Sequence, residues 1–395
     1  MIMPWLSILD CQNIITLFKK PQLIDDKQLD DYTIVVPLFS SSKFLGSDTL
    51  AYLEKYKDKV MIVTSKDETE SFMDEIRKLG FRVEASTDNH LKVSRVLIPA
   101  LRKTALQNVT TKYIAYLDAD SIPNENFGKV CSILDRFGFD LASVKIVPKE
   151  DGLLAKLQKV EYEISMLSRY YRPWLTSGAS IVARTDTMKE IMQSHSLFPY
   201  AEDVEIGILA KKLGKKTCHV GNFEVKTSVP TRLEPWLRQR MRWWSGMYAL
   251  FVSPENITLS PLFYIYLIGV VIGLWFFKIP DFSRERWWWE LSTKLWETFK
   301  YTIPSYWSYW VPLWQKTSEY LTPWELLPWI IAFHIPLLLM VNWKVRNRWM
   351  LVYPFYSLFQ ALVMPILGLT EYIRTAIKLH NFGRIKVKHN PFYGH

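Results

Sequence analysis

Between residue 33 and about residue 230 the sequence alternates short β-rich runs with helix-like stretches, and this alternation restricts the fold more than any other feature. The runs at 33–38, 60–64, 81–85, 113–117 and 141–147 are rich in Val, Ile and aromatics, as strands require. Between them, residues 68–79 form a helical stretch stopped by Gly80, and 204–213 another stopped by Gly214, because glycine supplies the left-handed residue that closes a helix. Strands alternating with helices predict a mostly parallel α/β sheet, with ligands bound outside the strands' C-terminal ends. No internal repeat or low-complexity linker interrupts the pattern.

The run at 113–117 carries the strongest chemical signal. Tyr113–Leu117 ends in Asp118-Ala119-Asp120, with Pro123 close behind. Side chains alternate along a strand, so Asp118 and Asp120 are expected to point to the same side where it runs out. Two hard oxygen ligands at a strand's C-terminal edge suit Mg²⁺ or Mn²⁺ carrying a diphosphate. Asp is also a common turn residue, so the pair gains its weight from the motifs downstream of it.

Composition divides the chain. Its 395 residues allow a domain of about 250 residues plus a second region. Most of the 17 Trp lie beyond residue 235, which points to a membrane interface. Residues 261–279, 326–343 and 349–370 are apolar runs. The first spans roughly 28 Å as a helix, about a bilayer's hydrocarbon thickness. The Trp-rich stretch between the first two suits helices lying in the interface. Basic clusters at Lys344, Arg346 and Arg348 and at Arg374, Lys378, Arg384, Lys386 and Lys388 would fall on opposite sides after three crossings. Either a third run that dips and returns or a fourth crossing is needed, and a cytoplasmic C-terminus is expected. No cleavable signal peptide is evident; 1–30 reads as an amphipathic, interfacial segment. The expected organisation is therefore 1–30 interfacial, 31–258 catalytic and cytoplasmic, 259–395 membrane region, in a multi-pass integral membrane protein.

The net charge of +10 fits anionic lipids or a nucleotide diphosphate. With no recognition motif and no single basic stripe, it does not point to nucleic acid. Cys11, Cys131 and Cys218 are scattered and read as reduced thiols.

Three further signals come after Asp118 and Asp120 in order. Thr176-Ser177-Gly178 precedes a short strand ending at Arg184, Glu202-Asp203 opens a helix, and Gln239-x-x-Arg242-Trp243 lies on a helix. Over residues 30–260 this series resembles the membrane-bound family 2 glycosyltransferases, the cellulose, chitin and hyaluronan synthases and their relatives. The resemblance implies a GT-A-type (Rossmann-like) domain followed by a helical transmembrane region. It implies a nucleotide-sugar donor, UDP-sugar first, with Mg²⁺ or Mn²⁺ on Asp120 and Asp118. Asp203 would be the general base and Glu202 its support. Gln239, Arg242 and Trp243 share one helix face and would contact diphosphate or acceptor, Trp243 by stacking on the acceptor sugar.

The residue chemistry agrees. Sugar transfer to a hydroxyl needs a neutralised leaving diphosphate and a group to take the acceptor's proton. Arg242 suits phosphate oxygens through its planar fork of donors. Alternative readings exist. Asp203 also fits an N-cap, the 238–244 helix also fits a lipid headgroup surface, and Gly178 also fits a plain turn. Otherwise Gly178 marks a close backbone approach to sugar, with Ser177 a sugar contact beside it.

One departure from the family pattern concerns the base-reading aspartate after the second strand. Asp67 is the nearest candidate, two or three residues late, and it also begins a capping box with Glu70. Thr64 and Ser65 are the other candidates. The resemblance favours polysaccharide synthesis with export through the membrane region. Single-sugar transfer to a lipid acceptor (a polyprenyl phosphate or ceramide-like molecule) and a non-catalytic membrane sugar-binding scaffold are the alternatives.

Overall fold

A computed structural model describes residues 23–38, 47–65, 70–86, 98–251, 345 and 347–381, with 335, 338, 339 and 342. The described residues of Phe18–Ser253 and Ile366–His395 belong to one compact unit, and those of Met1–Leu17 and Pro254–Pro365 to another.

The first unit builds the predicted alternation. β1 (Tyr32–Pro37) is followed by α1 (Ser47–Lys55), β2 (Val60–Ser65), α2 (Glu70–Lys78), β3 (Arg82–Ser86), α3 (Ile98–Asn108) and β4 (Tyr113–Leu117). A two-residue β5 (Ile122–Pro123), α4 (Gly128–Phe137), β6 (Leu141–Pro148) and α5 (Leu153–Arg169) come next. Then come β7 (Ser180–Arg184), α6 (Thr185–Ser194), α7 (Glu202–Lys212), β8 (Thr217–Thr227) and α8 (Leu233–Phe251). Gly80, Gly138 and Gly214 all have positive φ just past a helix, as helix stops require.

These strands form one sheet in the order β3-β2-β1-β4-β7-β6-β8-β5. The β3-β2-β1-β4 portion is parallel. β7 runs antiparallel between β4 and β6, β6 pairs parallel with β8, and β5 pairs antiparallel with β8. The strand order reverses at β1 and β4, which opens a crevice at their C-terminal ends.

Two-residue periodicity explains the layers. Ile34, Val36, Ile62, Tyr113, Ala115 and Leu117 face one core, shared with α4 and α5. Val35, Met61, Val63, Ile114 and Tyr116 face the other, shared with α3, α6 and α7. A parallel sheet buried on both faces needs continuous apolar strands, and all five residues of β4 are buried. Each fully buried aliphatic side chain there contributes about 1.5–3 kcal/mol. Cys131 and Cys218 are buried free thiols.

The membrane expectation is corrected. Among the described residues no single helix is long and apolar enough to cross a membrane. The 349–370 run falls mostly in α9 (Tyr353–Asn381), with Pro365 inside it. Only its two halves taken together, Tyr353–Ala361 and Val363–Ile377, reach the necessary length and composition, and they are bent by 40°. An interior proline lacks the amide donor that an unbroken helix needs there. The helix's later turns are spent on packing. Glu371 accepts a hydrogen bond from the Tyr200 hydroxyl at 3.2 Å, and Tyr372 lies against Phe198 and Tyr248. The integral multi-pass assignment, and with it the cytoplasmic placement of the catalytic domain, is not upheld. The 261–279 run, the Trp-rich stretch and residues 1–22 lie outside the described residues, and only scattered positions of 326–343 lie inside.

Candidate active site

The sheet ends its fourth strand at Leu117, and Asp118–Ser121 is a turn closed by the Ser121 amide donating to the Asp118 carbonyl at 2.9 Å. The turn, not strand alternation, therefore aims the two carboxylates. Its first residue is tied sideways, the Asp118 amide donating to the Ala179 carbonyl at 3.1 Å. Its third is held by the end of β8. The Ser121 and Thr227 hydroxyls reach Asp120 Oδ1 at 3.2 and 3.3 Å, and Lys149 donates to the Asp120 carbonyl.

The structure brings Asp118, Gly178, Glu202 and Asp203 together. A Cβ placed on Gly178 would lie 3.6 Å from Asp118 Oδ2 and 3.7 Å from Asp203 Oδ2. The Gly178 amide donates to Asp203 Oδ2 at 2.6 Å. Asp203 is thus not an N-cap: Ala201 holds that position, in the left-handed conformation with φ 55°, and the Asp203 carboxylate is turned to the neighbouring loop. Left-handed backbone is uncommon for alanine. Here α8 packs hard against it, since a Cβ on Gly246 would collide with Ala201. Ser177 is half-buried and its carbonyl accepts from the Ser180 amide at 3.2 Å; it adjoins the cluster through Gly178.

Sequence reasoning missed Arg102. It lies on α3, fully buried, and donates to Asp118 Oδ1 at 3.3 Å, the Gly178 carbonyl at 3.0 Å and Glu202 Oε1 at 3.4 Å. The signal was present: residues 98, 101, 102, 105 and 106 form the apolar stripe of α3, and a charge inside such a stripe needs buried partners. Arg102→Met would leave two carboxylates uncompensated, with an expected loss of about 3 kcal/mol measured by denaturant unfolding.

The cluster carries excess negative charge. Burial pushes the Asp118 carboxyl up to about 8, against the pull of Arg102 and with Asp120, Glu202 and Asp203 adding to the rise. Burial and then Asp203 push Glu202 up to about 7, Arg102 opposing. Asp120 is raised by burial, with Lys149 opposing. Among the described residues no three His, Cys, Asp or Glu side chains converge as a ready-made metal cage. Two carboxylates short of charge balance suit a hard divalent ion that shares its coordination with substrate phosphates.

The Gln239–Trp243 face is placed by α8. Trp243 is 39% exposed and stacks on Tyr162 of α5, with ring centroids 6.4 Å apart. Arg240 lies 4.1 Å over the Trp243 ring. It is locked by Glu161 at 2.6 and 3.0 Å and by Gln158 at 3.4 Å. Arg242 is exposed, and Gln239 Oε1 is buried with no partner among the described residues. Tyr162, Glu161 and Gln158 thus seat α5 against this part of α8, a contact the motifs alone did not indicate. Asp67 lies outside the described residues. Of its rivals, Thr64 is fully buried, its hydroxyl unpartnered among the described residues, and Ser65 is buried beside it.

Residues 30–246 match the family model described as glycosyltransferase like family 2, and the chain belongs to that family, a class of sugar transferases. A protein of Oryza sativa subsp. japonica named "Probable glucomannan 4-beta-mannosyltransferase 7" is 23% identical over 386 residues. The match covers 91% of this chain, which spans only 62% of that protein's length. Among solved structures, the mannosyltransferase PcManGT from Pyrobaculum calidifontis, in complex with GDP-Man and Mn²⁺, has a TM-score of 0.49 and 13% identity. That match covers 92% of this chain and 96% of that one. Glucosyl-3-phosphoglycerate synthase from Mycobacterium tuberculosis has a TM-score of 0.34 and 15% identity over 55% of this chain and 78% of its own. The fold is assigned from strand order and the family match, since likenesses of this size do not define it.

Proposed function

We propose that this chain is an inverting, metal-dependent glycosyltransferase that moves a sugar from a nucleotide-sugar to the hydroxyl of a growing saccharide. The observation that carries the reading is the meeting of Asp118 and Asp203 across Gly178, residues far apart in sequence, beside the helix that bears Gln239, Arg242 and Trp243.

Asp120 and Asp118 would hold Mg²⁺ or Mn²⁺, whose positive charge would neutralise the leaving diphosphate. Arg242 contacts the diphosphate or the acceptor, and Gln239 the acceptor. Trp243 supplies an apolar ring face for an acceptor sugar, steadied by Tyr162 and Arg240. Asp203 takes the proton of the acceptor hydroxyl as that oxygen bonds to the anomeric carbon. The bond from that carbon to the diphosphate oxygen breaks, its electron pair leaves on the nucleoside diphosphate, and the configuration inverts. The 2.6 Å bond from Gly178 to Asp203 Oδ2 fixes one carboxylate oxygen. Glu202, paired with Arg102, supports the turn that presents Asp203. Asp67, Thr64 and Ser65 are the candidates for reading the base.

UDP-sugars are the first donors to test. Likeness to the Oryza sativa protein named as a mannosyltransferase makes a nucleotide-activated mannose the rival. A screen of labelled UDP-, GDP- and dTDP-sugars with product sizing should give chains of many sugars with one donor. A product stalled at one added sugar, or a requirement for added lipid, would replace this reading with single transfer to a lipid. Trp243→Ala should weaken acceptor use about tenfold, the scale of one lost aromatic stack, while donor hydrolysis stays near parental. Equal losses in both would show that the ring only packs.

A further inference from the structure

One positive charge in the site has no ion-pair partner among the described residues. Arg169 closes α5 and is 9% exposed. Its Nε and Nη1 have no hydrogen-bond partner among those residues, and Nη2 reaches only the Thr176 carbonyl, at 3.4 Å. Arg102 shows the contrast, being braced by two carboxylates and a carbonyl. Burying a cation without a partner is costly to the fold, so a chain that keeps one gains something from it elsewhere.

The surroundings of Arg169 show where the gain lies. The carbonyl that Arg169 touches belongs to Thr176, whose hydroxyl donates to the Asp203 carbonyl. Two residues on, the Gly178 amide holds Asp203 Oδ2. One short loop therefore joins the guanidinium to the carboxylate. Burial pushes the Arg169 guanidinium down to about 10, and the charge that most opposes this is that of Asp203.

We propose that Arg169 is a positioning residue for sugar transfer: its buried guanidinium braces the 176–178 loop through the Thr176 carbonyl and so orients the Asp203 carboxylate that this loop holds. The inference rests on the reading of Asp203 as general base. Arg169 acts through Asp203 and makes no contact with the donor.

The test compares Arg169→Met, which keeps the bulk and removes the charge, with Arg169→Lys, which keeps the charge, in the full chain. Arg169→Met is expected to lower the transfer rate about 10²-fold, the scale of one lost electrostatic contact, while thermal unfolding shows the protein still folded at the assay temperature. Affinity for UDP with Mn²⁺ should change less than about twofold, well under the tenfold that 1.4 kcal/mol represents. Arg169→Lys should recover most of the rate. A methionine variant as active as the lysine one would overturn the proposal. So would a fall in Tm that parallels the loss of rate, or weakened UDP binding. Asp203→Asn is assayed alongside. If it stays active, the base assignment itself fails; if it is inert while Arg169→Met is fully active, only the role of Arg169 fails.

Discussion

Asp203→Asn is expected to lower sugar transfer about 10²–10⁴-fold, the contribution of a positioned general base, while the protein stays folded. The amide can still accept the hydrogen bond that the Gly178 amide gives to Asp203 Oδ2, so the loop and the start of α7 keep their geometry. What is lost is the ability to take a proton. Transfer and donor hydrolysis, measured beside the parent with thermal unfolding as control, check this. Parental transfer rates in the variant would mean that Asp203 is not the base.

Asp120→Ala is expected to cost about 10³-fold in turnover, since several kcal/mol of charge neutralisation at the leaving diphosphate depend on the metal. Excess Mn²⁺ should restore part of it through Asp118. The cluster's ionisation adds a pH signature. Without a cation, Asp118 is pushed up to about 8 and Glu202 to about 7, above their ordinary values of 3.8 and 4.5. Between these limits the native state binds more protons than the unfolded chain. Its stability therefore falls as pH rises from about 4 to 8. A divalent ion competes with the proton on Asp118, so the Mn²⁺-induced rise in Tm should be larger at pH 8 than at pH 6. An equal rise at both pH values would place the ion elsewhere.

β1, β2 and β4 were legible because a buried parallel strand must be apolar, and β4 matched its predicted span of 113–117. β8 was not, because Thr217–Thr227 mixes His, Asn, Glu and Lys and satisfies them at a partly exposed position in the sheet. The antiparallel insertion of β7 was also invisible, since a five-residue apolar run carries no direction. Asp118, Asp120, Glu202 and Asp203 could be found by residue type and order. Arg102 showed only as a charge within the apolar stripe of α3, and Arg169 sits at the end of a helix that carries no motif. At 349–370 apolar length alone could not show the 40° bend in the helix; Phe355, Phe359, Ile366 and Leu369 stay exposed, and residues 368–372 pack against the 198–201 loop and α8.

The close seat of Gly246 beneath Ala201 has a consequence for anyone re-engineering this enzyme. On the roles proposed for Asp203 and Trp243, chemistry and acceptor grip would be mechanically geared, because one rod carries the tryptophan and also props the bend from which the Asp203 carboxylate projects. Exchanging the Gln239–Trp243 segment while letting a bulkier side chain in at 246 is then expected to displace the Asp203 carboxylate as well, a loss easily taken for failed recognition.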